Sequence, residues 1–214
     1  APCKMTIAPT DTLHQAVRNQ DWPETERLAR LRLMEQPERE EYLFMLAISL
    51  TMQGRPMEAS EVHADLTRLR PREPIYWSNY ATVLREAGSL DEALAAQQEA
   101  LRLAPDDANQ LTSTALLLLE KGEHAAAQET MRLALKHDPA SPRVRIQAAR
   151  TCEVCRKHEE VEALLEPWRT WLPLEEDLQI ELGDLLLSNG DGSNAVLVFE
   201  DLVRRGMDNP RALV

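Results

Sequence analysis

The chain has 214 residues, of which 43% are hydrophobic and only 4% aromatic, and it carries a formal net charge of −12. This length and apolar content suffice for a folded core, which excludes a disordered chain. The acidic balance repels a phosphate backbone and excludes nucleic acid as a partner, and no apolar run approaches the about 20 residues that a membrane span needs.

Residues 1–5 form the first segment and are interpreted as a leader or a cloning remnant, because Met5 reads as a native start. No signal peptide is recognisable after it. We therefore expect a cytoplasmic protein, with a periplasmic location left open.

From there on, prolines recur at a constant step of 34 residues, and such a period is typical of stacked helix pairs. The prolines are Pro37, Pro71, Pro105, Pro139 and Pro173. Two further series keep the same step, with the last member of each two steps after the one before it: glycines (Gly54, Gly88, Gly122, Gly190) and small core residues (Ala59, Ala93, Ala127, Ala195). The sequence thus predicts six blocks, each with two helices, at 6–39, 40–73, 74–107, 108–141, 142–175 and 176–209, while 210–214 begins a seventh.

Local signals place the helix ends within these blocks. The mid-block glycine is expected to end the first helix with a positive φ, and the proline to end the second. Pro23 predicts the first turn of the second helix in block one, and residues 89–92 read as a capping box in block three. Pro167 should break the second helix of block five after Glu166, with Trp168 and Trp171 filling the irregular space.

Block three carries the most complete motif, with Trp77, Tyr80, Gly88, Ala93 and Pro105 in order. In this order and spacing the sequence resembles the tetratricopeptide repeat family. The resemblance implies an all-α, right-handed superhelical solenoid of antiparallel helix pairs, whose concave groove is lined by the first helix of every pair and holds a peptide or a partner helix.

The family's pattern also implies which side chains point into that groove. They are Phe44, Met45, Ile48, Met52, Ile75, Asn79, Thr82, Arg85, Asn109, Leu116, Arg143, Ile146 and Arg150. The apolar members either offer a site for an apolar anchor, or they pack against the preceding block or support the core. Asn79 either holds the ligand's backbone, as in many family members, or is a plain polar residue.

Three of these side chains, Arg85, Arg143 and Arg150, either form a basic patch for a carboxylate or are neutralised by Glu86 and Glu153. The family's clamp for chaperone termini is not supported. Phe44 and Ile48 stand where that clamp needs a lysine and an asparagine.

Chemistry-bearing motifs are scarce. Cys152 and Cys155 form a C-x-x-C followed by His158, but no second ligand pair accompanies them, and Cys152 falls on a core-facing stripe. Motifs for a metalloprotease, a serine hydrolase or a phosphate loop do not occur. We therefore expect no metal, no cofactor and no catalysis by this segment.

Three functional readings remain. The first is a scaffold for protein–protein interaction that binds a protein or peptide partner. The second is the recognition arm of a longer bacterial enzyme, such as a sulfotransferase, glycosyltransferase or hydroxylase. The third is self-association through an uncapped C-terminal end, where 210–214 has no polar cap.

Overall fold

The computed structural model describes residues 9–206, and their side chains from Thr12 onward. Over that range the chain forms twelve α-helices, one 3-10 segment and no strand, so the predicted all-α fold is confirmed. The helices are α1 (Pro9–Arg18), α2 (Trp22–Glu35), α3 (Glu40–Met52), α4 (Pro56–Leu69), α5 (Pro74–Glu86), α6 (Leu90–Leu103), α7 (Ala108–Glu120), α8 (His124–His137), α9 (Pro142–Val154), α10 (His158–Leu165), α11 (Glu176–Ser188) and α12 (Gly192–Arg204). The predicted leader and the start of a seventh block lie outside the described residues.

The helices form six pairs, and we call the odd-numbered members first helices and the even-numbered members second helices. They belong to two compact units that divide between residues 104 and 105. In the first unit, each helix from α1 to α6 contacts the next one along the chain. In the second unit, α9 contacts α7, α8, α10 and α11, and α12 packs on α11. Each unit is therefore a stack of three helix pairs.

First helices begin where the 34-residue period places the start of each block. From α3 to α11 their first residues are Glu40, Pro74, Ala108, Pro142 and Glu176. Proline in the first turn of α5 and α9 suits a position whose N–H has no partner within the helix.

The turn inside each pair closes in the same way throughout the described chain. An N–H just after the first helix reaches back five residues to a carbonyl, as from Arg55 to Leu50 at 3.0 Å. The preceding residue takes a positive φ, which confirms the role predicted for Gly54, Gly88, Gly122 and Gly190, with φ from 69° to 83°. Where blocks one and five lack the glycine, Gln20 and Arg156 adopt the same conformation, with φ of 55° and 59°.

The starts of two second helices test the predicted caps. Pro23 lies in the first turn of α2, as predicted, and Asp21 caps that helix by accepting the Glu24 N–H at 3.2 Å. The capping box at Ser89 is wrong, because its side chain makes no cap hydrogen bond. Ser89 is held instead by its own N–H, which donates to the Leu84 carbonyl at 2.9 Å.

Small residues mark the crossing of the two helices in a pair. Ala47, Ala81, Ala115 and Ala149 are all buried. In the last pair the position is Gly183, where an added Cβ would lie 2.3 Å from the Phe199 ring. Glycine is therefore required there because the partner helix brings a bulky ring to the crossing.

Block five departs from the repeat at Pro167, as predicted. Helix α10 ends at Leu165, and a 3-10 segment, Glu166–Thr170, follows it. Trp168 is buried and Trp171 packs partly against the same core. The Arg145 guanidinium donates to the Leu164 and Ala163 carbonyls at 2.9 Å each, which caps the shortened helix.

Candidate functional site

In the first unit, the predicted groove residues on α3 and α5 differ in exposure. The side chains of Met52 and Ile75 are 58% and 52% exposed, and Thr82 and Arg85 are also exposed. Ile48 and Asn79 are half-buried, as are Phe44 and Met45. Large apolar side chains are thus open to solvent on the first helices of this unit.

Phe44 and Met45 are shared between the surface and the core. The Phe44 ring lies 5.9 Å from the Tyr76 ring and packs against a cluster of Leu43, Ala47 and Leu66. Met45 packs against a second cluster, to which every helix from α1 to α5 contributes. These two residues therefore support the core while keeping part of their surface exposed, and their role as an anchor site stays a prediction.

A polar network beside Phe44 was not anticipated. Glu40 accepts the Tyr76 hydroxyl at 2.5 Å and the Arg70 guanidinium at 2.7 Å. These two donors lower the pKa of Glu40, whereas burial and the neighbouring carboxylate raise the pKa of Tyr76 to about 12. The network ties α3 to α5 and forms one wall of a cavity of about 620 Å³.

In the second unit, the predicted residues Asn109 and Leu116 lie on α7. Asn109 is exposed, and its backbone N–H donates to the Asp107 carboxylate at 2.8 Å, so it belongs to the cap of the helix. Leu116 is half-buried.

The prediction that Ile146 lines a groove is wrong. Its side chain is 0% exposed and packs in the core with Val161, Leu165 and Trp168. Its position in the repeat is that of Phe44, at the border between the exposed face and the interior. A bulky apolar side chain at that border turns inward where neighbouring helices cover it, as they do around α9.

Arg143 and Arg150 do not form a free basic patch. Arg143 pairs with Glu175 and Arg150 pairs with Glu181, each at 2.9 Å. The neutralising carboxylates are thus those of Glu175, which precedes α11, and of Glu181 within α11, rather than that of Glu153. Arg85 is exposed on α5, in the first unit.

The surroundings of Arg150 are acidic. A cavity of about 480 Å³ lies between α9 and α11, and we call it the acidic cavity. Its lining residues are Arg150, Glu153, Asp177, Ile180, Glu181, Asp184, Leu185 and Ser188. Sequence reasoning missed it because the groove was not extended into block six, although Asp177 and Asp184 stand 34 residues after Arg143 and Arg150.

Gln147 lies next to the acidic cavity and is only 7% exposed. Its amide Nε2 donates to the Glu181 carboxylate at 2.5 Å, while its buried Oε1 has no hydrogen-bond donor among the described residues. A buried carbonyl oxygen without a donor is uncommon in folded proteins.

The C-x-x-C does not have the properties of a reactive site. Cys152 is buried, its Sγ lies 3.6 Å from the Glu160 carboxylate, and burial raises its thiol pKa to about 11. A reactive cysteine needs a lowered pKa. Cys155 carries a free thiol, and the described residues contain no group of three His, Cys, Asp or Glu side chains placed to hold a metal.

None of the helices in the described part of the chain has the length and apolar character needed to cross a membrane.

Comparison with known proteins finds one family model and several solved structures of similar fold. The family model for the tetratricopeptide repeat matches residues 44–108. No curated protein matches the chain.

Among solved structures, PilW, a widely conserved type IV pilus biogenesis factor, superposes with a TM-score of 0.73 at 15% identity, over 99% of this chain and 98% of PilW. A tetratricopeptide repeat protein of Parabacteroides merdae gives 0.72 at 18% identity, over 92% and 78% of the two chains. The pilF protein of Pseudomonas aeruginosa gives 0.68 at 17% identity, over 96% and 93%. At these identities the likeness concerns the fold.

Proposed function

We propose that the chain is a protein-interaction scaffold that binds an extended segment of another protein along its first helices. The proposal is supported by the match of residues 44–108 to the tetratricopeptide repeat model and by the similarity of the fold to a solved tetratricopeptide repeat protein. Repeat folds of this kind generally serve binding rather than chemistry, since their stacked helices leave long exposed faces.

The observation that carries the proposal is the exposure of Met52 and Ile75 on the first helices α3 and α5. Burying a methionine or isoleucine side chain releases about 1.5 to 3 kcal/mol, so each of them can anchor an apolar side chain of a partner. The methionine thioether is flexible and adapts to partners of different shape. Asn79, half-buried on α5, offers both a donor and an acceptor to a peptide backbone.

A matched pair of methionines in block two tests this proposal. Met52 lies on the first helix α3 and Met57 on the second helix α4, with exposures of 58% and 64%. Peptides selected on the wild-type protein from a random displayed library are titrated against Met52→Glu and Met57→Glu. We expect Met52→Glu to weaken binding at least tenfold, because it places a charge where an apolar anchor docks, and Met57→Glu to bind like wild type.

Circular dichroism of both variants confirms that the fold is kept, since both side chains are already exposed. Equal affinity of all three proteins for every selected peptide would remove the first-helix face from the proposal.

A further inference from the structure

We propose that one exposed face of α12 binds the same face of a second copy of this chain, so that the protein forms a two-fold symmetric dimer. The face, which we call the α12 face, consists of exposed residues three or four positions apart on one side of the helix: Ser193, Val196, Leu197, Glu200, Val203 and Arg204. The inference is independent of the proposed function, because that function is assigned to first helices and α12 is a second helix.

Apolar side chains make up half of the α12 face. Val196, Leu197 and Val203 are 51%, 44% and 47% exposed. Three large apolar side chains on one side of a helix gain free energy when another surface covers them. The α12 face therefore has the composition of an interaction surface.

In block one, the positions that correspond to Val196 and Val203 are covered by the following block. Val196 corresponds to Glu26, whose carboxylate accepts the side-chain amide of Gln53 at 3.0 Å from block two. Val203 corresponds to Leu33, which packs against the cluster shared by α3 and α4. This side of a second helix is thus the side on which another helix packs in this fold.

Leu197 extends the apolar surface beyond the part that a following block covers. The same repeat position holds Arg27, Glu61 and Glu129 in blocks one, two and four, and all three are exposed. A large apolar side chain thus replaces a charged one at a position that the repeat leaves open to solvent. This replacement favours a contact outside the stack of blocks.

The charges of the α12 face favour a second copy of the chain as its occupant. Glu200 and Arg204 are exposed, lie one turn apart and have opposite signs, and within one copy their closest atoms are 3.6 Å apart, beyond hydrogen-bond distance. A second copy that runs in the opposite direction places its arginine beside Glu200 and its glutamate beside Arg204. Two ion pairs then form across a two-fold axis, and this axis passes close to Val203, where the valines of the two copies meet.

A contact made by one helix from each copy is small, and each copy carries a net charge of −12. Stable protein interfaces bury about 1,200 Å² or more, so a smaller contact gives a reversible dimer rather than a permanent one. At physiological salt, where long-range repulsion is screened, we expect a dissociation constant of about 10 to 100 μM.

Sedimentation equilibrium of charge-reversed variants tests the proposal. The single variants are Glu200→Arg and Arg204→Glu, and each of them places like charges opposite each other twice in the symmetric dimer. We expect wild type to dimerise and each single variant to dimerise at least about tenfold more weakly. The double variant, and an equimolar mixture of the two single variants, restore opposite charges and should dimerise like wild type.

The matched controls are Glu129→Arg and Arg132→Glu, which reverse the charges of an exposed ion pair on α8. They change the net charge of the chain by the same amounts as the single variants, and we expect both to dimerise like wild type. Circular dichroism checks that every variant keeps the fold, because all four side chains are exposed.

A wild-type protein that stays monomeric up to about 1 mM would overturn the proposal and leave the α12 face to another part of the chain or to another protein. Dimerisation that the single variants do not weaken, or that the controls weaken equally, would also overturn it, because the contact would then lie elsewhere. Rescue by the double variant without rescue by the mixture would overturn it too, because the effect would then belong to the ion pair within one helix.

Discussion

His63 lies within α4 with only 3% of its surface exposed, and its Nδ1 has no hydrogen-bond partner among the described residues. Burial lowers its pKa from 6.5 to about 4. The same repeat position holds Met131 in block four, also buried. A non-titrating side chain of similar bulk is therefore already accommodated at this helix crossing.

The lowered pKa of His63 predicts a loss of stability in acid. Between pH 6.5 and pH 4 the unfolded chain binds a proton at this histidine while the folded chain does not, so the free energy of unfolding falls as the pH falls through that window. Above pH 6.5 His63 is neutral in both states, and its contribution to stability is fully present. From pH 6.5 to pH 4 the free energy of unfolding falls by about 2 to 3 kcal/mol on account of His63.

Urea unfolding of wild type and His63→Met at pH 7.5, 5.5 and 4 measures this loss, because the effects of other titrating groups cancel when the two free energies of unfolding are subtracted. As the pH falls, the free energy of unfolding of His63→Met should rise relative to that of wild type by the same amount, about 2 to 3 kcal/mol. Parallel pH profiles would show that His63 takes up its proton without a cost to folding.

At the scale of helices, the backbone conformation of the turn is the same in every described block, even where the residues differ. The sequence predicts the turn from glycine in blocks two, three, four and six, but gives no such signal at Gln20 and Arg156. Both residues nevertheless take a positive φ. The reason is that the backward hydrogen bond after the first helix, for example from Lys157 to Cys152 at 2.8 Å, demands that conformation whatever the residue.

Replacing Arg156 with glycine should therefore stabilise the end of α9. A left-handed conformation costs a residue with a Cβ about 1 to 2 kcal/mol, and glycine returns part of this gain through its freer unfolded chain. We expect Arg156→Gly to raise the free energy of unfolding by about 0.5 to 1 kcal/mol, measured by urea denaturation.

The control is Arg156→Ala, which removes the same side chain and charge but keeps the Cβ and hence the strain. The reverse change, Gly122→Ala, should destabilise the protein, because the φ of 79° disfavours a residue with a Cβ. An added Cβ there meets no atom within 4 Å, so this backbone strain is the only cost. A gain from alanine equal to that from glycine would attribute the effect to the lost arginine charge instead.

Features set by a local pattern were predictable from the sequence, and features set by neighbouring blocks were not. The break at Pro167 follows from the missing N–H of proline alone. The burial of Ile146 and the pairing of Arg150 with Glu181 depend on which helices cover α9, and a single block does not reveal that.

For the molecule as a whole, the 34-residue step is sufficient to predict an all-α fold made of helix pairs, because each pair buries its apolar side only against the next. The identity of the partner depends instead on which side chains stay exposed. Here the structure separates Met52, which is open, from Phe44 and Met45, which support the core. A role as the recognition arm of a longer enzyme, and self-association through the C-terminal end, stay predictions.

The central claim is that another protein binds along the first helices, and methionine methyl NMR tests it most directly. The chain has seven methionines, and among them are exposed ones on a first helix and on second helices. On adding a library-selected peptide to protein labelled at the methionine methyl groups, the account predicts a shift of the Met52 signal, with Met57 and the exposed Met34 of α2 unchanged. Shifts at Met34 or Met57 with an unmoved Met52 would contradict it.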